Sequence, residues 1–118
     1  MSTLVIQLRT GTMMNMDTNV AVKLSQAAVE KGYDVRIFGY GEGIMLVKDG
    51  QEPKRFPNVG AETKDLLSKG VEVAVCNTCC AARGLRRGEE IPGMKIGSLT
   101  NDLSRYVAEG ARMVTIAR

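Results

Sequence analysis

Short, nearly continuous apolar runs alternate along the chain with stretches in which apolar residues recur every three or four positions. Leu4, Val5, Ile6, Gln7 and Leu8 form the first run, the pattern of a strand buried on both faces. After Asp17 or Thr18, either of them a good N-cap, Val20, Ala21, Leu24, Ala27 and Ala28 mark one face of a helix that Gly32 can close. Residues 33–38 predict the next strand. The cadence of helix end, glycine and strand returns at Gly70 before residues 71–75 and at Gly110 before residues 113–116, and residues 94–97 predict one further short strand. Strands alternating with helices imply right-handed crossovers and a mainly parallel sheet covered on both faces. The expected fold is therefore a single three-layer α/β/α domain over residues 1–118, with about five strands and a flavodoxin-like architecture. Residues 50–57, which include Pro53 and Pro57, read as a surface connection.

Composition narrows the chemistry. At 118 residues, 44% apolar and 25% charged, the chain has the make-up of one ordinary globular domain. No run approaches a membrane span and no signal peptide is evident at the start, so a cytoplasmic protein without a membrane partner is expected. Sixteen Lys and Arg against thirteen Asp and Glu give no general field for nucleic acid. The five aromatic residues offer little for stacking bases or a flavin. With no histidine, Ser-His and Cys-His catalysis and histidine-ligated metals are excluded within one chain. Neither a metal nor a cofactor is expected.

Parallel sheets present reactive groups at the carboxyl ends of their strands, here residues 9–16, 39–49 and 76–88. The last segment holds all three cysteines, Cys76, Cys79 and Cys80, an odd cluster that suits a reducing compartment better than a disulfide framework. Cys76 falls at the end of the strand, and Asn77 or Thr78 can cap a short helix beginning near Cys79. Unpaired N–H groups in a first helical turn favour a thiolate, and Arg83 and Arg87 lie on the side of Cys80. The thiol pKa values are expected to fall, and a thiolate can hold sulfane sulfur as a persulfide without a general base. Small residues such as Cys76 and Ala81 also suit plain helix-sheet packing. For Cys76 that alternative is as good as a functional one; two adjacent thiols followed by Arg83, Arg86 and Arg87 are harder to explain by packing. Structural zinc lacks a fourth ligand, and a thioredoxin-type use of Cys76-Asn77-Thr78-Cys79 would place both cysteines at the start of a helix after an early strand.

The segment Cys80-Ala81-Ala82-Arg83-Gly84-Leu85-Arg86-Arg87-Gly88 resembles that of DsrE and TusD proteins, in which a cysteine is followed by small residues, Leu, two basic residues and Gly. Cys76-Asn77-Thr78-Cys79 with Ala82-Arg83-Gly84-Leu85 is similar to the C-x-x-C segment of the YchN-like branch. The chain is thereby identified as a member of the DsrE/DsrF-like superfamily, a likeness that extends to Glu42-Gly43-Ile44 and to the last strand. The resemblance implies an intracellular sulfur-relay protein, sulfurtransferase-like, that accepts sulfane sulfur as a cysteine persulfide from a donor protein and passes it to an acceptor protein. Carried over by position, Cys80 matches the sulfur acceptor of one branch, and Cys79 and Cys76 match the pair of the other. Cys80 is expected to be the acceptor, Cys79 the second choice, and Cys76 resolving or structural. The resemblance also implies a homo-oligomer, a trimer or hexamer, with paralogous subunits in some members. The alternatives are a thiol-disulfide redox protein or sensor using Cys76 and Cys79, and a non-catalytic subunit of a sulfur-metabolism complex.

Three further features complete the expected site. Thr10-Gly11-Thr12 has the look of a phosphate loop but lacks stacking partners, and reads better as a turn. Gly39-Tyr40-Gly41-Glu42-Gly43 lacks a nucleotide fingerprint and reads as a flexible turn. Both loops leave the same edge of the sheet, so Gly11 and Tyr40 are expected to wall the cysteine pocket, with Thr78, Arg83 and Arg87 stabilising the thiolate. Met13, Met14 and Met16 are expected at a subunit interface or pocket lip, a core-facing loop being as good an alternative for any one of them. Arg86, Arg87, Glu89 and Glu90 read as a solvated run, or as a dock for an acidic carrier protein.

Overall fold

A computed structural model describes residues 2–11 and 16–117. The five strands are β1 (Thr3–Leu8), β2 (Asp34–Gly39), β3 (Glu72–Cys76), β4 (Lys95–Gly97) and β5 (Arg112–Ile116). They form one sheet in the order β4-β3-β2-β1-β5, and every neighbouring pair is parallel. The helices are α1 (Asp17–Glu30), α2 (Val59–Ser68), α3 (Asn77–Ala82) and α4 (Ser104–Glu109), with a 3-10 helix at Gly41–Val47 and a π-helical turn at Leu99–Leu103. The α/β architecture expected from the sequence is the one observed. No helix among the described residues is long and apolar enough to cross a membrane.

The apolar recurrences became helices, but their ends differ in kind. At Gly32 and Gly70, both with positive φ, the amide of the following residue reaches back to the carbonyl five residues earlier: Tyr33 to Ala28 and Val71 to Leu66. These are Schellman ends, which need a residue free of Cβ strain at the left-handed position. Gly110 belongs to another category. Its φ is −81°, and a Cβ there would lie 2.7 Å from a methyl of Val5, so the glycine admits close approach of helix to sheet. Asp17 and Thr18 do not cap α1. Asp17 instead accepts from the Thr10 hydroxyl at 2.9 Å and Thr18 donates to the Gly11 carbonyl at 3.0 Å, so both tie the β1–α1 loop to the helix. A carboxylate beside that loop disfavours an anion there. Met13 and Met14 lie outside the described residues, and Met16 is exposed.

The two faces of the sheet are covered unequally. On one, Ile6, Leu8, Ile37, Val73 and Val75 pack with Ala21 and Val22 of α1, Leu66 of α2, and Ile44, Leu46 and Val47 of the 3-10 helix. On the other, Val5, Phe38, Ala74 and Cys76 pack against Tyr106 of α4, with Leu103 at the margin. This second face is thin because only the β4-to-β5 connection crosses it. Strand alternation therefore decides which layer each residue of β3 enters: Val73 and Val75 the thick one, Ala74 and Cys76 the thin one.

Candidate functional site

Cys76 ends β3 and is itself the N-cap of α3, in extended conformation. Asn77 and Thr78, the expected caps, fall inside the helix, and the Cys76 sulfur accepts from the Cys79 N–H at 3.5 Å. Burial of Cys76 pushes its thiol up, but hydrogen bonds from Cys79 and Thr78 outweigh it and hold the group below the usual 9.0. Thr78 is the smaller contributor of the two, after Cys79.

Cys79 lies one turn further on and is half-buried. Its sulfur accepts from the Gly41 N–H at 3.2 Å. Burial raises its pKa, the Gly41 amide opposes this, the neighbouring Cys76 raises it further and Arg83 lowers it; the balance is upward. Cys80 points the other way, into the thick layer, where it is 1% exposed against 8% for Cys76. Its thiol is pushed up to about 11, by burial first and then by the charges of Cys76 and Cys79, against which Arg83 and Arg87 do little.

A fall in pKa shared by Cys79 and Cys80 is therefore not what the structure shows; both rise and only Cys76 drops. The arginines are engaged elsewhere. Arg83 donates to Glu42 at 2.8 Å and to the Cys79 carbonyl at 3.2 Å, and Arg87 donates to the Ile96 carbonyl at 3.0 Å, closing the end of β4. Hydrogen bonds from Cys79 and Thr78, not guanidinium groups, stabilise the one depressed thiol.

The segment after Cys80 has a structural explanation. Gly84, with φ of 77°, ends α3: its amide reaches Ala81 and that of Leu85 reaches Cys80. This is a third Schellman end, and its usual apolar contact joins the residue after the glycine to the one five positions earlier. Leu85 and Cys80 both belong to the thick core and supply that contact. The run from Cys80 to Leu85 is thus sufficient to stop a helix and seal its underside.

Tyr40 packs against the thin-layer cluster that contains Cys76, and the Arg9 guanidinium lies 5.0 Å above its ring. A Cβ on Gly11 would come within 3.3 Å of Glu42, so Gly11 backs the rim that carries the Arg83 partner. Sequence reasoning missed Gly41 and Glu42. The stretch expected to be a flexible turn is a 3-10 helix set tightly on the strand ends: a Cβ on Gly39 would lie 2.6 Å from the Gly43 carbonyl oxygen, and one on Gly43 would collide with that of Leu8. Three alternate glycines and a carboxylate at a strand's carboxyl end were the available signal. Among the described residues, no three His, Cys, Asp or Glu side chains converge as metal ligands.

Comparison with known proteins agrees with this layout. The chain is 34% identical over 95 residues to the uncharacterized protein MJ0989 of Methanocaldococcus jannaschii, covering 80% of this chain and 82% of that one. It is 31% identical over 94 residues to the uncharacterized protein MK0008 of Methanopyrus kandleri, covering 80% and 77%. The crystal structure of the ychN protein from E. coli superposes with a TM-score of 0.89 at 24% identity, over 98% of this chain and 99% of that one. The structure of MTH1491 from Methanobacterium thermoautotrophicum does so with 0.80 at 12% identity over 98% and 99%; both likenesses are of fold. The profile of the DsrE/DsrF-like family matches residues 4–116, and the chain belongs to that family.

Proposed function

We propose that this protein carries sulfane sulfur as a persulfide on Cys76, received from a donor protein and passed to an acceptor protein. The observation that carries this reading is the placement of Cys76 at the carboxyl end of β3 as the N-cap of α3, where its sulfur accepts the Cys79 N–H at 3.5 Å. The Cys76 sulfur sits at the sheet rim, receives the Cys79 main-chain hydrogen bond, is held below the usual thiol pKa and lies under the thinner layer. Its thiolate attacks the outer sulfur of a donor persulfide, forming Cys76–S–SH and expelling the donor thiolate; an acceptor thiolate then removes that outer sulfur and restores Cys76. No general base is required, which suits a chain without histidine.

Compared with the expectation from sequence, the acceptor moves from Cys80 to Cys76, and Cys80 becomes a packing residue of the α3 end. Incubation with a persulfide donor followed by mass spectrometry should add about 32 Da per sulfur. The adduct should be lost in Cys76→Ser, retained in Cys80→Ala and removed by dithiothreitol. Absence of any adduct in both the wild type and Cys79→Ser, or one confined to Cys80, overturns the reading.

A second reading, thiol-disulfide exchange, is favoured by one observation, the hydrogen bond from the Cys79 amide to the Cys76 sulfur within a C-x-x-C. It predicts reversible loss of two free thiols on oxidation and no stable sulfur adduct.

Self-association belongs to the leading reading. Strand β5 is exposed on both faces, with Met113 at 44% and Val114 at 37%, and Leu99 and Val107 are exposed nearby in the chain order of the thin layer. An edge strand with apolar residues on both faces suits burial against a second copy.

A further inference from the structure

We propose that Cys79 is a resolving thiol that takes the Cys76 persulfide apart, so that sulfur not collected by an acceptor leaves as hydrosulfide. This rests on the reading of Cys76 as the sulfur carrier. The Cys79 thiolate attacks the inner sulfur, Cys76 Sγ; a Cys76–Cys79 bond forms, the bond from Cys76 Sγ to the outer sulfur breaks, and that sulfur departs with the electron pair as HS⁻. The outer sulfur is reduced and the two cysteine sulfurs are oxidised to a disulfide. The proton of Cys79 passes to solvent. A dithiol reductant restores the two thiols for the next cycle.

Two independent contacts support this assignment. Cys79 is one turn from Cys76, and its own amide is bonded to Cys76 Sγ at 3.5 Å, so the two residues are held together at the start of α3. Its thiol also accepts a hydrogen bond from a different element, the Gly41 N–H at 3.2 Å, in a backbone conformation of positive φ that glycine permits. Packing alone asks for no such donor. Cys80, the adjacent cysteine, has no hydrogen bond to its sulfur among the described residues and packs with the thick apolar core.

The amide of Gly41 is held in place through its neighbour. Glu42, next in the chain, is paired with Arg83 at 2.8 Å, and Arg83 returns to the Cys79 carbonyl at 3.2 Å. The 3-10 helix and α3 are thereby joined across the sulfur they share. An amide fixed on Cys79 Sγ favours its thiolate form, which opposes the upward push of burial in the attacking group.

The test loads the protein with an inorganic polysulfide under argon, removes excess reagent, and follows free hydrosulfide together with non-reducing peptide maps, using unloaded protein as zero. Wild type should release hydrosulfide in step with appearance of a Cys76–Cys79 disulfide. Cys79→Ser should keep the adduct on Cys76 and lose it at least about tenfold more slowly. Glu42→Gln keeps all three thiols and should slow release by a smaller factor, while Cys80→Ala should release as wild type does. If Cys79→Ser sheds its Cys76 adduct as fast as wild type, or if the adduct migrates to Cys79 without hydrosulfide, this inference is overturned and the carrier reading stands. If no adduct forms on Cys76 in either protein, the carrier reading itself fails.

Discussion

Burial pushes every thiol in the site upward, and the direction of main-chain amides separates the three. Cys76 gains enough hydrogen bonding to end below the usual 9.0, so its alkylation by iodoacetamide should half-rise at a lower pH than that of an ordinary thiol and should outpace the other two. Stopped-flow rates against pH, with peptide mapping for site, check this; preferential labelling of Cys80 would contradict it. Cys80 predicts the reverse pattern. Cys80→Ser puts a hydroxyl among apolar neighbours at a cost of about 1–3 kcal/mol, read as a lower urea midpoint, whereas the reactivity of Cys76 is unchanged. The cysteine segment itself was legible in the sequence, because three thiols after a strand announce their place at the sheet rim. Their ranking was not. It depends on which face of the sheet is thinly covered, and a strand's alternation gives the parity of residues 73–76 without saying which layer is which.

At the level of elements, glycine positions were more readable than glycine reasons. Gly32 and Gly70 end helices as expected, Gly110 relieves a steric contact instead, and Gly97 faces Asp102 so closely that a Cβ would displace its carboxylate. That carboxylate organises the turn after β4: it accepts from the Lys95 ammonium and from the Ser98 amide, each at 2.7 Å, while the Ser98 hydroxyl accepts from Asn101 at 2.9 Å. Burial would raise the Asp102 pKa, but these partners together lower it from 3.8. Its contribution to stability is thus complete above the unfolded-state value and fades as pH falls through the depressed folded one. Asp102→Asn should lower neutral-pH stability by about 1–3 kcal/mol and flatten the acid limb of a stability-against-pH curve. Gly97→Ala should destabilise at all pH values by about 1–3 kcal/mol, through overpacking that protonation does not relieve. Nothing in the local pattern announced this turn, since its key contact joins a strand glycine to a carboxylate five residues on through a π-helical turn rather than through any regular period.

For the molecule as a whole, the consequence of the sheet order is asymmetry. Successive crossovers from β1 to β4 stack helices on one face, and the return to β5 leaves α4 alone on the other, held down by a ring of Arg36, Glu72, Arg105 and Glu109 with contacts of 3.1–3.4 Å. The ring is mostly solvent-exposed, so it orients α4 more than it stabilises it. Beyond α4 the edge strand is largely exposed among the described residues, with Ile116 half-buried against the thick core: Met113 follows the face of Val5, and Val114 the face of Ile6. An uncovered parallel edge strand is rare in isolation, because parallel strands are normally buried on both faces. If β5 is the surface on which copies meet, a charge placed there should prevent assembly without touching the core. Val114→Lys should therefore elute as a monomer in sedimentation or size-exclusion experiments where the unaltered protein elutes as an oligomer, with its far-UV spectrum and Cys76 reactivity kept. A wild-type chain that is monomeric at tens of micromolar, or a Val114→Lys oligomer of unchanged size, would exclude β5 as the meeting surface. Because Cys76 lies on the same thin face as Met113, loss of assembly that also raised Cys76 alkylation would further show that a neighbouring copy helps cover the sulfur.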